Sequence, residues 1–243
     1  MVKKPDDFYQ SAIAFGNFQR LLADYPAETL HESIPDFHNT PVRFDTFRKA
    51  VKEDALGRVR EVADEIAFVM EREGFTHILM DRYKEGRLPL KVTHNDTKLN
   101  NIMIDNTTGR AICVIDLDTI MPGFSVNDFG DSIRFGASTG AEDEPDLTKI
   151  NFDLSLYALY TKGFMEGCNG SLTTGEIDML PVGAKMMTLE CGIRFLADYL
   201  QGDHYFRIER EKHNLDRARV QFKLVSDMEK NWGKMYDIIN EFR

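Results

Sequence analysis

Apolar residues in the first third of the chain recur every three or four positions. The segment from Phe8 to Tyr25 has this spacing, which places its apolar side chains on one face of a helix. The period is lost between Pro26 and Pro41, where prolines and polar residues predict a long loop. It returns from Phe44 to Leu56 and from Val59 to Met70, and a further helix is expected through Tyr83.

The middle of the chain follows a different pattern, typical of short strands. Leu90 and Val92 alternate with polar neighbours. Two apolar runs, 102–104 and 111–115, flank the turn-forming sequence at 106–109, and together they predict a β-hairpin. A turn is expected afterwards at 122–123, where proline precedes glycine.

Helical periods resume in the second half of the chain. They cover 157–164, 179–200 and 215–242, and an acidic loop at 141–146 precedes them. Neither an internal repeat nor a convincing linker divides the sequence. The pattern therefore predicts an α+β fold that is mostly α, built as a single domain over residues 1–243 with a small β-hairpin.

Composition and charge exclude several classes of protein. The 243 residues are 42% hydrophobic, which is enough for a sizeable core. Thirty basic and forty acidic residues give a net charge of -10, so neither a nucleic-acid partner nor a membrane partner is expected. Three widely spaced cysteines fit a reducing compartment, and no apolar run is long enough for a membrane span or signal peptide. The sequence thus predicts a cytoplasmic protein.

The segment that carries chemistry is 94–101, whose form is H-x-D-x-K-x-x-N. Asp116 follows twenty residues after Asp96, at the end of the second predicted strand of the hairpin. Phosphoryl transfer uses an aspartate to accept the proton of the acceptor hydroxyl, and oxygen ligands for magnesium. Asp96, Asn101 and Asp116 supply these groups, while Lys98 directs a cation at the transferred phosphate. A lone H-x-D is common, but the full pattern favours catalysis over turn formation.

This segment resembles the catalytic loop and metal-binding strand of the protein-kinase-like superfamily, in its aminoglycoside phosphotransferase branch. Asn95 stands where a protein kinase has arginine, and 115–117 stands where it has D-F-G, which points away from protein substrates. Together with Met121-Pro-Gly123 and the blocks 194–203 and 213–219, the sequence is similar to the N-acetylhexosamine 1-kinases.

The resemblance implies a protein-kinase-like C-terminal lobe in which the small hairpin carries the catalytic loop. It implies that Asp96 is the catalytic base and contacts the substrate, and that Lys98 takes part in catalysis and nucleotide binding. Asn101 and Asp116 are implied to bind Mg²⁺ and, through it, the ATP phosphates. The cofactors expected are therefore ATP and Mg²⁺.

The resemblance also implies residues that surround these groups. His94 and Asp118 are expected to hold the catalytic and metal-binding residues in position without contacting the substrate. Asp118 is equally compatible with a solvated turn. Arg194 and Tyr205 are expected to contact the sugar, with an ion pair between Arg194 and Glu190 as the structural alternative.

Two more pairs of polar residues are expected to have minor roles. Asp128 and Asp131 lie near a predicted helix start, where capping and the helix dipole favour carboxylates. His31 and His38 fall in the long loop and could line the mouth of a pocket.

A complete kinase of this superfamily also has an N-terminal nucleotide lobe with a β-sheet and a glycine-rich loop. No two glycines are spaced i, i+2 here, and the residues before His94 have helical rather than strand periodicity. We therefore expect the N-terminal lobe to be absent, so that the chain is a fragment of a longer kinase or has lost that lobe. On this interpretation the chain alone folds but does not transfer phosphate.

Two classes of function stay open at this point. One is a phosphotransferase with an alcohol group as acceptor, acting on the anomeric hydroxyl of a neutral N-acetylhexosamine or on another small hydroxyl substrate such as an aminoglycoside. The other is an inactive sugar-binding module or pseudokinase. The face that would meet the missing lobe is expected to expose apolar residues, which self-association or a partner would cover.

Overall fold

A computed structural model describes residue 2 and residues 4–243, and helices dominate this part of the chain. The α-helices are α1 (Pro5–Leu21), α2 (Thr40–Glu53), α3 (Ala63–Met70), α4 (Glu73–Thr76), α5 (Ile78–Lys84), α6 (Ser125–Gly136), α7 (Leu154–Cys168), α8 (Thr174–Gln201), α9 (His213–Lys230) and α10 (Trp232–Glu241). The strands are β1 (Lys91–Thr93), β2 (Ile102–Ile104), β3 (Ala111–Val114) and β4 (Met121–Gly123). The predicted α+β class with mostly helical content is confirmed.

The four strands form two separate antiparallel pairs. The predicted hairpin is confirmed as β2 and β3, in which Ile102 lies opposite Val114. The predicted turn at Pro122-Gly123 is wrong, because these residues belong to β4, which pairs with β1. A two-stranded sheet consists of edge strands only, so Pro122 can lie in β4 without leaving an inner ladder bond unmade.

The predicted helices of the first half are confirmed, with shifted ends. Helix α1 stops at Leu21, and α2 begins at Thr40, four residues earlier than expected. The segment from Val59 to Met70 divides into a short 3-10 turn and α3. The helix expected through Tyr83 is two short helices, α4 and α5.

In the second half too, helix boundaries differ from the periodicity, and α7 extends beyond the predicted 157–164 at both ends. Helix α8 starts five residues before the predicted boundary, because Thr173 and Glu176 form a capping box there. The single helix predicted over 215–242 is two helices, α9 and α10. They separate at Asn231, whose side chain donates to the carbonyl of Asp227 at 2.9 Å.

Glycines allow two pairs of helices to pack backbone against backbone. Helix α1 crosses α7 so closely that a Cβ on Gly16 would lie 2.3 Å from the Phe164 carbonyl oxygen. Helix α6 crosses α8 in the same way, since a Cβ on Gly183 would lie 2.2 Å from the Val126 carbonyl oxygen, and one on Gly130 would lie 2.3 Å from the oxygen of Gly183. These contacts fix α6 and α8 against each other.

The buried apolar residues form two clusters. The larger lies around α1, α6 and α7, and the smaller lies between α2, α8 and α9. The 28-residue helix α8 contributes to both. Across the described part of the chain, no helix combines the length and apolar composition that crossing a membrane requires.

Candidate active site

The segment 94–101 connects β1 to β2, and a buried carboxylate of α6 holds its backbone. Asp128 accepts hydrogen bonds from the backbone amides of His94 (2.9 Å) and Asn95 (2.8 Å), and from Nε2 of Gln19 on α1 (2.7 Å). Burial raises the pKa of Asp128, and the two amides oppose this rise. The first turn of the loop is therefore attached to the interior of the molecule.

One turn further along α6, Asp131 holds the next part of the loop. It accepts a hydrogen bond from the backbone amide of Thr97 at 2.9 Å. Arg134 pairs with Asp131 at 2.9 Å and with Glu142 at 2.6 Å. Burial by itself would raise the pKa of Asp131, but the charges of Arg134 and Lys98 outweigh it and lower the pKa. Asp131 therefore carries a charge that Arg134 balances.

The expectation that Asp128 and Asp131 cap their helix is wrong. Phe124 occupies the N-cap of α6, and both carboxylates project instead into the loop after β1. Their spacing of three places them on one helix face. In the sequence, the indication of this role was a pair of carboxylates on the same face of a helix.

Asp96 lies between two partners that orient its carboxylate. Lys98 Nζ contacts Asp96 Oδ1 at 2.7 Å, and Asn101 Nδ2 donates to Asp96 Oδ2 at 3.0 Å. Burial opposes the charge on Lys98, but Asp96 and Asp131 outweigh it and raise the pKa of Lys98. The lysine is therefore a fixed cation beside the carboxylate.

The β2–β3 hairpin brings Asn101 and Asp116 to the same end. Ile115 donates its backbone amide to the Asn101 carbonyl at 2.9 Å, one step beyond the Ile102–Val114 pair, and Asp116 follows directly. Asp116 is exposed and has a left-handed backbone with φ of 64°. Because Asn101 donates a hydrogen bond to Asp96 through Nδ2, its Oδ1 remains able to accept a hydrogen bond or to coordinate a metal ion.

These two oxygen-bearing side chains do not make a complete metal cage. No group of three or more His, Cys, Asp or Glu that could hold a metal ion occurs in residues 2 and 4–243. Magnesium in nucleotide sites commonly takes one or two protein ligands and completes its shell with phosphates and water. Asn101 and Asp116 fit that mode of binding.

His94 and Asp118, which the sequence grouped together, are placed differently. The ring of His94 is buried and bonds through Nε2 to the Ile115 carbonyl at 2.9 Å, while Nδ1 accepts from the Asp96 amide at 3.3 Å. It therefore connects the loop to the end of β3. Asp118 is exposed and makes no side-chain hydrogen bond to any residue that the structure describes.

A cavity of about 440 Å³ opens in front of the loop and brings together candidates from distant parts of the chain. Asp96 and Lys98 line it from one side, and Arg194 on α8 and Tyr205 on the following segment line it too. Arg194 Nη2 donates to the Tyr205 hydroxyl at 3.4 Å. The cavity thus connects the acid–lysine pair with both residues expected to contact a sugar.

The ion pair between Glu190 and Arg194 does not form. Glu190 instead accepts from Thr40 Oγ1 at 2.6 Å and bonds to His38 Nδ1 at 2.8 Å. Burial would raise the pKa of Glu190, but the charge and hydrogen bond of His38 outweigh it and lower the pKa. His38 also lies 3.4 Å from the Asn95 carbonyl, so it connects α8 with the loop. The sequence offered no local pattern for this role.

A second, larger cavity of about 1040 Å³ contains none of the candidate catalytic residues. It lies between α1, β3 and the end of α7. Exposed apolar side chains surround the hairpin beside it, among them Leu21, Met103, Ile112 and Leu117. The expectation of an apolar face toward a missing lobe, covered by a copy or a partner, stays a prediction.

A sequence model of the phosphotransferase enzyme family (APH) matches residues 3–161. The match contains the loop at 94–101, the β2–β3 hairpin and α6, which holds the loop, and it ends before α8. It covers well over half of the chain. The chain therefore belongs to the phosphotransferase enzyme family, a branch of the protein-kinase-like superfamily whose members act on hydroxyl groups of small molecules.

Proposed function

We propose that the chain is the catalytic lobe of an ATP-dependent kinase that phosphorylates a sugar hydroxyl, the anomeric one of an N-acetylhexosamine. The observation that carries the kinase part is the position of Asp96. Its carboxylate lines the 440 Å³ cavity, and Lys98 and Asn101 fix its orientation. A hydroxyl that enters the cavity meets a carboxylate able to accept its proton.

Each neighbouring group has a role in this proposal. Asp96 accepts the proton and aligns the acceptor oxygen, and Lys98 faces the negative charge of the transferred phosphate. Asn101 and Asp116 would hold Mg²⁺, which neutralises charge on the nucleotide phosphates. His94 acts by holding the loop against β3, which keeps Asp96 in register with Asp116.

The acceptor is assigned mainly from the similarity of the motifs to the hexosamine kinases. The charges of the cavity support it against the aminoglycoside alternative. A polycationic drug needs unpaired carboxylates, whereas the carboxylates that line this cavity already have cationic or imidazole partners. We therefore favour a sugar without positive charge.

The test measures formation of sugar 1-phosphate from Mg-ATP with N-acetylglucosamine, N-acetylgalactosamine or kanamycin. It is run on the 243-residue chain and on any longer product encoded in frame with it. Because the sequence holds no G-x-G-x-x-G loop, we expect turnover from a longer product and little from the chain alone. Turnover near 1 s⁻¹ by the chain alone would show a nucleotide site that the sequence does not reveal.

In whichever protein turns over, Asp96→Asn should lower kcat by about 10²- to 10⁴-fold, the usual contribution of a positioned base, with little change in sugar affinity. Asp64→Asn, an exposed carboxylate on α3, is the matched control. Wild-type turnover in Asp96→Asn would contradict the base assignment. Phosphorylation of kanamycin but of neither hexosamine would contradict the acceptor, and sugar binding without turnover in any form would favour the inactive module.

A further inference from the structure

Two groups of charged side chains line the 440 Å³ cavity, and the first is internally paired. Each carboxylate in it has a cationic or imidazole partner within 3 Å. The pairs are Asp96 with Lys98, Asp131 and Glu142 with Arg134, and Glu190 with His38. This group therefore leaves no carboxylate without a partner for a cationic ligand to pair with.

The second group consists of three arginines without acidic partners. Arg194 on α8, Arg207 on the segment before α9 and Arg217 on α9 all line the cavity. None of them forms a salt bridge with a residue that the structure describes, and the side-chain bonds of Arg194 and Arg217 go to hydroxyl, carbonyl and amide oxygens. In a chain whose net charge is -10, three neighbouring arginines that avoid carboxylates form a local excess of positive charge.

Two of these arginines are already held in position. The guanidinium carbon of Arg194 lies 5.3 to 5.6 Å from the ring centroids of Phe37, Tyr205 and Phe206. Arg217 donates through Nη1 to the Arg207 carbonyl and to Asn214 Oδ1, both at 3.1 Å. Holding the side chains in advance lowers the entropy that a ligand must remove on binding.

One donor in the group lacks a partner. Nε of Arg217 is buried and makes no hydrogen bond. Buried polar groups in native proteins are nearly always satisfied, so this guanidinium has hydrogen-bonding capacity that the protein does not use. Guanidinium groups bind carboxylates and phosphates with two parallel hydrogen bonds, which makes an oxyanion the matching chemistry.

We propose that Arg194, Arg207 and Arg217 bind an oxyanion group, a carboxylate or a phosphate, carried by the acceptor sugar. The acceptor is then an acidic sugar, which differs from the neutral one expected from the sequence. This proposal rests on the proposed function for the reacting hydroxyl, which meets Asp96 in the same cavity. It assigns the arginines to the recognition of the substituent.

The test measures ligand affinity for the full chain by titration calorimetry without nucleotide. The probes are N-acetylglucosamine, N-acetylglucosamine 6-phosphate, glucuronic acid and kanamycin. At least one acidic sugar should bind at least about tenfold more tightly than N-acetylglucosamine, because a hydrogen bond to a charged group increases affinity by about that factor. The phosphate and carboxylate probes distinguish the two oxyanions, and added salt should weaken the preferred one.

Variants show whether the arginines cause the preference. Arg217→Gln and Arg207→Gln should each reduce it, while Arg60→Gln, an exposed arginine outside the cavity, should leave it unchanged. If Arg217→Gln does not fold, as judged by circular dichroism, the test rests on Arg207→Gln, because the Arg207 side chain is exposed.

The proposal is overturned if N-acetylglucosamine binds as tightly as both acidic probes, if no probe binds, or if the preference survives in every folded variant. Because binding is measured without ATP, these results are independent of whether phosphate is transferred. A failure of the kinase proposal would show in turnover alone.

Discussion

The close crossing of α6 and α8 predicts a large effect from adding one methyl group. In Gly183→Ala the new Cβ would lie 2.2 Å from the Val126 carbonyl oxygen, whereas ordinary contacts begin near 3.4 Å. The atom it meets belongs to the backbone, and Gly130 closes the same contact from the other helix. The helices must therefore separate by roughly 1 Å, and overpacking of this kind costs about 1 to 3 kcal/mol. We expect the upper part of that range.

Alanine also favours the helix over glycine, by up to about 1 kcal/mol. Gly233→Ala on α10 is the matched control, because a Cβ added there would have no described atom within 4 Å and the φ of Gly233 is negative. The control should be unchanged or slightly more stable than wild type. The difference between the two variants isolates the clash, which we place at about 2 to 3 kcal/mol.

Urea unfolding followed by circular dichroism gives both free energies of unfolding. Gly183→Ala should have the lower midpoint with an unchanged slope. It should also weaken sugar binding, because α6 carries the carboxylates under the loop and α8 carries Glu190 and Arg194. Equal midpoints for Gly183→Ala and Gly233→Ala would refute the close approach of α6 and α8.

Three further predictions test the site and its surroundings. Asp128→Ala leaves two loop amides without an acceptor, while Gln19 Nε2 keeps its bond to the Val92 carbonyl, and at about 1 to 3 kcal/mol for each loop amide it should cost at least about 2 kcal/mol in urea unfolding; a loss below 1 kcal/mol would contradict the bonding described. Iodoacetamide should label exposed Cys113 first, because desolvation raises the pKa of Cys191 to about 11 and raises that of Cys168 further; peptide mapping that finds either of these two thiols labelled first would contradict this. The lowered pKa of Glu190 means that its carboxylate stabilises the fold at neutral pH and that this contribution is lost as pH falls below about 4.5. The stability difference between wild type and Glu190→Gln should therefore shrink from pH 7 to pH 3.5, and an equal difference at both values would contradict the pairing.

Local patterns were sufficient for α1 and α2, apart from their ends, and for the hairpin. A helix that buries one face has apolar residues every three or four positions. A hairpin has two short apolar runs on either side of a turn. The loop and strand-end residues, Asp96, Asn101 and Asp116, were predictable as neighbours for the same reason. When the chain folds back over a tight turn, the residues that precede the first strand and those that follow the second strand lie close together.

Contacts between distant segments were not predictable from these rules. Pro122-Gly123 has the composition of a turn, but pairing with β1 overrides it. Glu190 and Arg194 have the spacing of a helical ion pair. Glu190 instead bonds to His38, which lies 152 positions earlier in the chain. The hydrophobic periodicity of one segment does not predict which other segment packs against it.

The attachment of the loop to α6 has a consequence for its motion. Loops usually exchange their amide hydrogens with solvent quickly, because their backbone bonds break through local fluctuations. The amides of His94, Asn95 and Thr97 instead bond to carboxylates buried in the core. They are released only when α6 separates from the loop, so they should exchange as slowly as the interior of a helix. Asp116 itself is exposed, and its amide bonds to no buried carboxylate in the part of the chain that the structure describes, so it should exchange sooner than the three loop amides although its neighbour Ile115 is bonded to Asn101 and His94.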